Sequence, residues 1–182
     1  ASAGTGEDGL KAISLGSISL KYSDARNNSG NGALLDNSAS GSSAGISIVN
    51  TSSNYGYYST NDGNGLEALT TGSMSVSYVE AASNNGTYGV TLDNSSGAAP
   101  HTVSITAVRA LTNAGEGLNI NAYGPVTMSS LKAVQNVGNG VTVANVGIGV
   151  VNIIIGVSSI FTNNGCYGIN TYSSKAITLS GI

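Results

Sequence analysis

The 182-residue chain has no tryptophan, one phenylalanine (Phe161), one cysteine (Cys166), one histidine (His101) and two prolines. A lone cysteine excludes an internal disulfide, and a lone histidine excludes a multi-histidine metal site. Charge is scarce too: nine acidic and six basic residues leave a net charge of −3 and a sequence pI near 4.8. Such a balance offers no cationic footprint for a phosphate backbone, so nucleic acid is not an expected partner. No uninterrupted apolar run reaches the roughly 18 residues of a membrane-spanning helix, and no basic-then-apolar leader is visible. The expectation is a chain that does not insert into a membrane and is either mature or excised from something longer.

What abounds is turn chemistry. Gly (26), Ser (28) and Asn (21) fill 75 of the 182 positions, which argues against an ordinary helical domain. Yet 40% of residues are hydrophobic and the mean hydropathy is +0.11, whereas a disordered chain would be polar and highly charged. The chain should fold, held by hydrogen bonds and small aliphatic side chains.

Self-similarity is the dominant signal. A glycine followed by an apolar residue recurs at Gly9, Gly32, Gly65, Gly89, Gly117, Gly140 and Gly168, at intervals of 23, 33, 24, 28, 23 and 28 residues. Short and long units alternate, so the period spans two units. The position three after each glycine is Ala12, Leu35, Ala68, Leu92, Ile120, Val143 or Thr171, apolar in six of seven cases. Nine and eleven residues after the glycine, the short units carry Ile18/Leu20, Met74/Val76, Val126/Met128 and Ile177/Leu179. Ser19, Ser75, Thr127 and Thr178 lie between, the period-two pattern of a strand with one apolar face. Ile46-Ser47-Ile48, Val103-Ser104-Ile105 and Ile153-Ile154-Ile155 repeat the pattern in the long units. A third segment holds Ala25, Ala81 and Ala133, followed by Asn27, Asn84 and Asn136.

Three short strands per unit with Gly, Asn and Ser corners predict an all-β fold. The specific expectation is a right-handed parallel β-helix (β-solenoid) of about six to seven rungs of 23–33 residues, forming one domain over residues 1–182. In that register Leu10, Leu35, Leu66, Leu92, Leu118, Val143 and Ile169 line the interior, and corner asparagines bond turn backbone and the next rung.

The run from Asn64 to Gly97, NGLEALTTGSMSVSYVEAASNNGTYGVTLDNSSG, and the run from Gly115 to Val143, GEGLNINAYGPVTMSSLKAVQNVGNGVTV, carry a family resemblance. They resemble the two-rung tandem repeats of very large parallel β-helix proteins on bacterial cell surfaces. The resemblance implies an extracellular or cell-surface location and brings no catalytic motif, because the repeated residues are structural. Two departures stand out: an extension around SSNYGYYSTNDGNG, read as a protruding loop, and the run VGIGVVNIIIGV with Ala144 where Asp is expected.

Candidate sites are few. Asp36 and Asp93 sit in equivalent LDNS motifs, two rungs and about 10 Å apart, near the upper separation of an inverting carboxylate pair. Asp-Asn-Ser is also plain turn chemistry, with the carboxylate capping its own corner, and this is the preferred reading. Asn61-Asp62-Gly63-Asn64 and Glu7-Asp8-Gly9 faintly resemble calcium loops but match no established loop, so no metal and no cofactor is expected. His101 has no catalytic neighbour in sequence, and Cys166 reads as a buried, inert thiol. Nine tyrosines against one phenylalanine is a skewed set, and Tyr55, Tyr57 and Tyr58 cluster in the long extension, where they form the candidate ligand contact.

The expected function is a structural module of an extracellular filament or cell-surface fibre, and not an enzyme. The alternative is an adhesin or glycan-binding stalk displaying the tyrosine loop, with surface glycans as partners; a polysaccharide-cleaving enzyme ranks third. The ends, marked by Ala1, Ser2, Gly181 and Ile182, read as uncapped, so the partner is expected to be the protein itself, stacked head to tail as a homopolymer or against neighbouring repeats.

Overall fold

The structure, a computed structural model of the chain, describes residues 6–39, 43–146, 153–155 and 158–180, with the backbone alone at 153–155. The expected assembly ends Ala1, Ser2, Gly181 and Ile182, and most of the VGIGVVNIIIGV run, lie outside the described residues. The described residues contain no helix.

The chain alternates between two parallel sheets. The first has seven strands, which neighbour one another in chain order: β1 (Leu10–Ile13), β3 (Ala33–Asn37), β6 (Leu66–Thr70), β8 (Tyr88–Asp93), β10 (Glu116–Ala122), β13 (Val141–Asn145) and β16 (Ile169–Ser173). The second has ten. Its path runs through β2 (Ile18–Leu20), β4 (Ile46–Val49), β7 (Met74–Ala82), β9 (Val103–Leu111), β11 (Val126–Ser129), β14 (Ile153–Ile155) and β17 (Ile177–Leu179). Beside that path, β5 (Gly56–Tyr57) pairs with β7, while β12 (Lys132–Val134) pairs with β9 and with β15 (Ile160–Thr162).

This topology corrects the expected right-handed parallel β-helix. The described strands form two parallel sheets, neither closed into a barrel, and the third apolar segment of each unit makes no sheet of its own. The reason lies at the corner. In β7 and β9 one residue takes a left-handed conformation, Tyr78 (φ 53°) and Ala107 (φ 54°), and the strand continues beyond it. The backbone turns without losing its ladder, so the segment read as a separate face is a continuation of the second sheet.

The predicted registers match the observed pairs. The residues after the recurrent glycines align as Leu10↔Ala33, Ala33↔Leu66, Leu66↔Val90, Leu118↔Val90, Leu118↔Val141 and Val141↔Ile169. Leu35, Leu66, Leu92, Leu118 and Val143 are buried, while Leu10 and Ile169 are partly buried against the same core. Ser19, Ser75 and Thr178 are exposed and Thr127 is half-buried. Side-chain size alternates from unit to unit at the start of the first sheet. Inward pairs read Leu10/Ala12, Ala33/Leu35, Leu66/Ala68 and Val90/Leu92, so large and small swap places in the first three strands and fill a common volume.

One interaction repeats through the molecule. Asn28, Asn61, Asn84, Asn113, Asn136 and Asn164 form a ladder in which each Nδ2 donates to the next Oδ1 at 2.8–3.0 Å. The same Oδ1 atoms accept the backbone N–H of the preceding asparagine at 3.0–3.1 Å. The second proton of Nδ2 goes to a backbone carbonyl, that of Ala25, Tyr58, Ala81, Ala110 or Ala133. Asn61, Asn84, Asn113 and Asn136 thus use both amide protons and both lone pairs, as buried amides must. The expected corner residue Asn27 is corrected by one position: Asn28 joins the ladder, and Asn27 (φ 59°) is the left-handed residue before it.

The ladder explains the recurrent glycines. A Cβ on Gly89 would lie 2.5 Å from Asn113 Nδ2 and 2.7 Å from the Gly117 carbonyl oxygen, a clash no side chain survives. Asn113→Ala should therefore cost more than about 2 kcal/mol, because it strands the buried Asn84 N–H and one Asn84 Nδ2 proton at about 1–3 kcal/mol each before relaxation, and takes one donor each from Asn136 Oδ1 and the Ala81 carbonyl. Asn85→Ala, one residue from the ladder but exposed, should stay within about 0.5 kcal/mol of the parent. Urea unfolding of the two variants checks this, and equal midpoints would remove the ladder as a source of stability.

Candidate functional site

The extension of the second unit is smaller than the expected loop. Thr51 and Asn54 exchange backbone hydrogen bonds of 3.2 and 3.0 Å, closing a tight turn, and the chain then enters β5 in register with β7. The period of two then sets the facing of each side chain. Gly56 and Tyr58 face inward and Tyr57 faces outward.

Tyr58 is therefore removed from the candidate contact set. It is fully buried, and its hydroxyl shares a short hydrogen bond with Ser23 Oγ. Its ring occupies a column that also holds Ala25, Ala81, Ala110 and Ala133 and ends on Phe161, since one residue back Tyr57 aligns with Asp24 and Glu80, the neighbours of Ala25 and Ala81. Gly56 is on the same inward face, where a Cβ would lie 2.8 Å from Asn50 Nδ2 and 3.3 Å from the Tyr58 ring.

Tyr55 and Tyr57 remain at the surface, half-buried, and gather partners that sequence spacing does not announce. The two rings are 6.5 Å apart, and Tyr78 meets Tyr55 edge-on at 5.6 Å. Both arginines of the chain converge there. Arg109 lies 4.4 Å from the centroid of the Tyr55 ring, and Arg26 lies 5.4 Å from that of Tyr57. Each guanidinium is also tied to a carboxylate. Arg26 Nε donates to Asp24 Oδ1 at 2.6 Å, with a second bond from Nη2 to Oδ2, and Arg109 Nη1 reaches Glu80 Oε2 at 3.4 Å. The hydrogen bonds and charge of Asp24 raise the Arg26 pKa above its ordinary value, keeping it a cation.

The ladder registers position this set. Asp24, Tyr57, Glu80 and Arg109 are in register on four successive backbone segments, on the outer side of buried Ala25, Tyr58, Ala81 and Ala110. Asp24, Glu80 and Lys132 all lie fifteen residues after their unit's glycine, a regularity that could have marked this column from the sequence. Tyr57 and Arg109 escape it, because the long units vary in length before the corner.

The other candidates do not assemble. Asp36 and Asp93 lie on strands separated by β6, aligned through Leu69, and each Oδ1 accepts from the backbone N–H and hydroxyl of its own turn, Ser38 or Ser95, at 2.6–2.8 Å. Beside them Asn37 and Asn94 are buried, and their amides reach the carbonyls of Ala44 and His101. In the faint calcium loop, Asn61 belongs to the buried ladder and Asp62 accepts from Asn85 at 3.1 Å. Among the described residues no three His, Cys, Asp or Glu side chains cluster as metal ligands. Cys166 is exposed, a correction to the expected buried thiol: it sits beside Tyr167 in a turn outside the alternating strand pattern.

No family model, curated protein or solved structure matches the chain.

Tyr58 also makes a pH prediction. Burial pushes its phenol above the ordinary value of 10.0, and the Ser23 hydrogen bond offsets this only in part. The unfolded chain therefore loses this proton first, and the stabilisation, complete below pH 10, is lost as pH rises through the folded-state pKa. Tyr58→Phe should cost about 1 kcal/mol at neutral pH and show a shallower alkaline loss than the parent. Denaturant melts from pH 8 to 12 check it, and parallel alkaline slopes would refute it.

Proposed function

We propose that the protein is a structural module of an extracellular filament or cell-surface fibre. The observation that carries this reading is the uninterrupted asparagine ladder with its matching strand registers, which commits most repeated residues to joining one unit to the next. Each unit meets its neighbours through the same parallel pairings and the same amide ladder. An interface that repeats within the chain also suits another copy of the chain or a neighbouring repeat of a longer polypeptide, giving a heterologous contact that propagates. The resemblance to the tandem repeats of large bacterial surface proteins supports the same location. The one carboxylate pair suggested by sequence is spent on turns, which disfavours a polysaccharide-cleaving enzyme.

Electron microscopy of the purified chain, together with reducing-end assays on a polysaccharide panel, tests the reading. Particles that lengthen along one axis as concentration rises, with no sugar release, are the expected result. Release of sugar that disappears in Asp36→Asn or Asp93→Asn would replace the fibre module with an enzyme.

A further inference from the structure

We propose that the tyrosine and arginine patch is a binding site for a neutral saccharide. The patch holds two sets of the same three groups: Tyr57, Arg26 and Asp24 in one, Tyr55, Arg109 and Glu80 in the other. In each, a carboxylate ties down a guanidinium that lies over a tyrosine ring. None of these side chains belongs to the core, since the buried residues of the same segments are Ala25, Tyr58, Val79, Ala81, Val108 and Ala110.

Charge balance selects the ligand class. Within the two sets each arginine faces a carboxylate, so a polyanion would have to compete there with partners already in place, and Lys132, in register with Arg109, adds one further cation beside them. A sugar hydroxyl both donates and accepts, and it bonds a carboxylate and its guanidinium together without separating them. The part of each half-buried tyrosine left exposed beside its guanidinium offers apolar surface to a pyranose at low entropic cost. The column from Asp24 to Arg109 covers about 14 Å at the usual strand spacing, a length that suits a short oligosaccharide. The paired sets suit a short oligosaccharide with one sugar ring against each tyrosine. This inference does not rest on the fibre reading, because a monomeric chain would carry the same patch.

The test is titration of the full chain, followed by amide NMR and calorimetry, with cellohexaose, mannohexaose, xylohexaose and oligogalacturonate as probes. The expected result is binding of at least one neutral hexasaccharide, with shift changes centred on residues 22–26, 55–57, 78–80 and 109. Tyr57→Ala and Arg109→Lys should each weaken that binding about tenfold or more, a change of about 1.4 kcal/mol, and leave the fold intact. Arg109→Lys keeps the charge and removes the planar fork, so it separates recognition from electrostatics. Binding to none of the neutral probes, binding to oligogalacturonate alone, shifts mapping elsewhere, or affinity unchanged in both variants would each overturn the proposal.

Discussion

Stacked buried amides are the interaction on which the rest of this molecule depends. An asparagine side chain carries two donors and an acceptor with two lone pairs, and only a neighbour of the same kind, placed one strand spacing away, satisfies them in a repeating way. That requirement holds each unit in register with the next. It also excludes a Cβ at the glycines facing the ladder, so the most conspicuous feature of the sequence is a shadow of the amides behind it.

The ladder also stabilises a backbone that is otherwise unfavourable. Eleven non-glycine residues among those described have positive φ, including the β-branched Thr60 and Thr112. Each left-handed L-residue costs on the order of 1–2 kcal/mol, so the corners together oppose folding substantially. Thr60, Ser83, Thr112, Gln135 and Asn163 each directly precede a ladder asparagine. The adjoining amide bonds, at about 0.5–1.5 kcal/mol net apiece, are of the right size and number to offset that local cost. The corner and the ladder therefore form one device.

The candidate site lies on the outer side of the same frame. Parallel pairing in register places every fifteenth residue of the short units beside its counterparts, and the residue types in this column are free to vary because the inward neighbours carry the packing. Asp24, Tyr57, Glu80, Arg109 and Lys132 occupy it. The half-buried tyrosines restrict the arginines and the carboxylates orient them, so the group is preorganised.

By itself the sequence determined the all-β class, the strand registers and the inward aliphatic positions, because a period of two and a recurrent glycine are local signals that survive without coordinates. It also marked Asp36 and Asp93 as turn residues, since an Asx turn closes within three positions. Only the tertiary structure decided that the units build two parallel sheets instead of the three-faced coil. That depends on one left-handed residue, Tyr78 or Ala107, bending a strand while its ladder persists, and no residue type announces such a bend. It decided, too, that Tyr58 points inward and Tyr57 outward, because the phase of a short strand after a tight turn is set by the neighbour it pairs with. The meeting of Arg26, Arg109 and three tyrosines could not be read along the chain at all. Those residues lie up to 83 positions apart, and stacking of units of unequal length brings them within one side chain's reach.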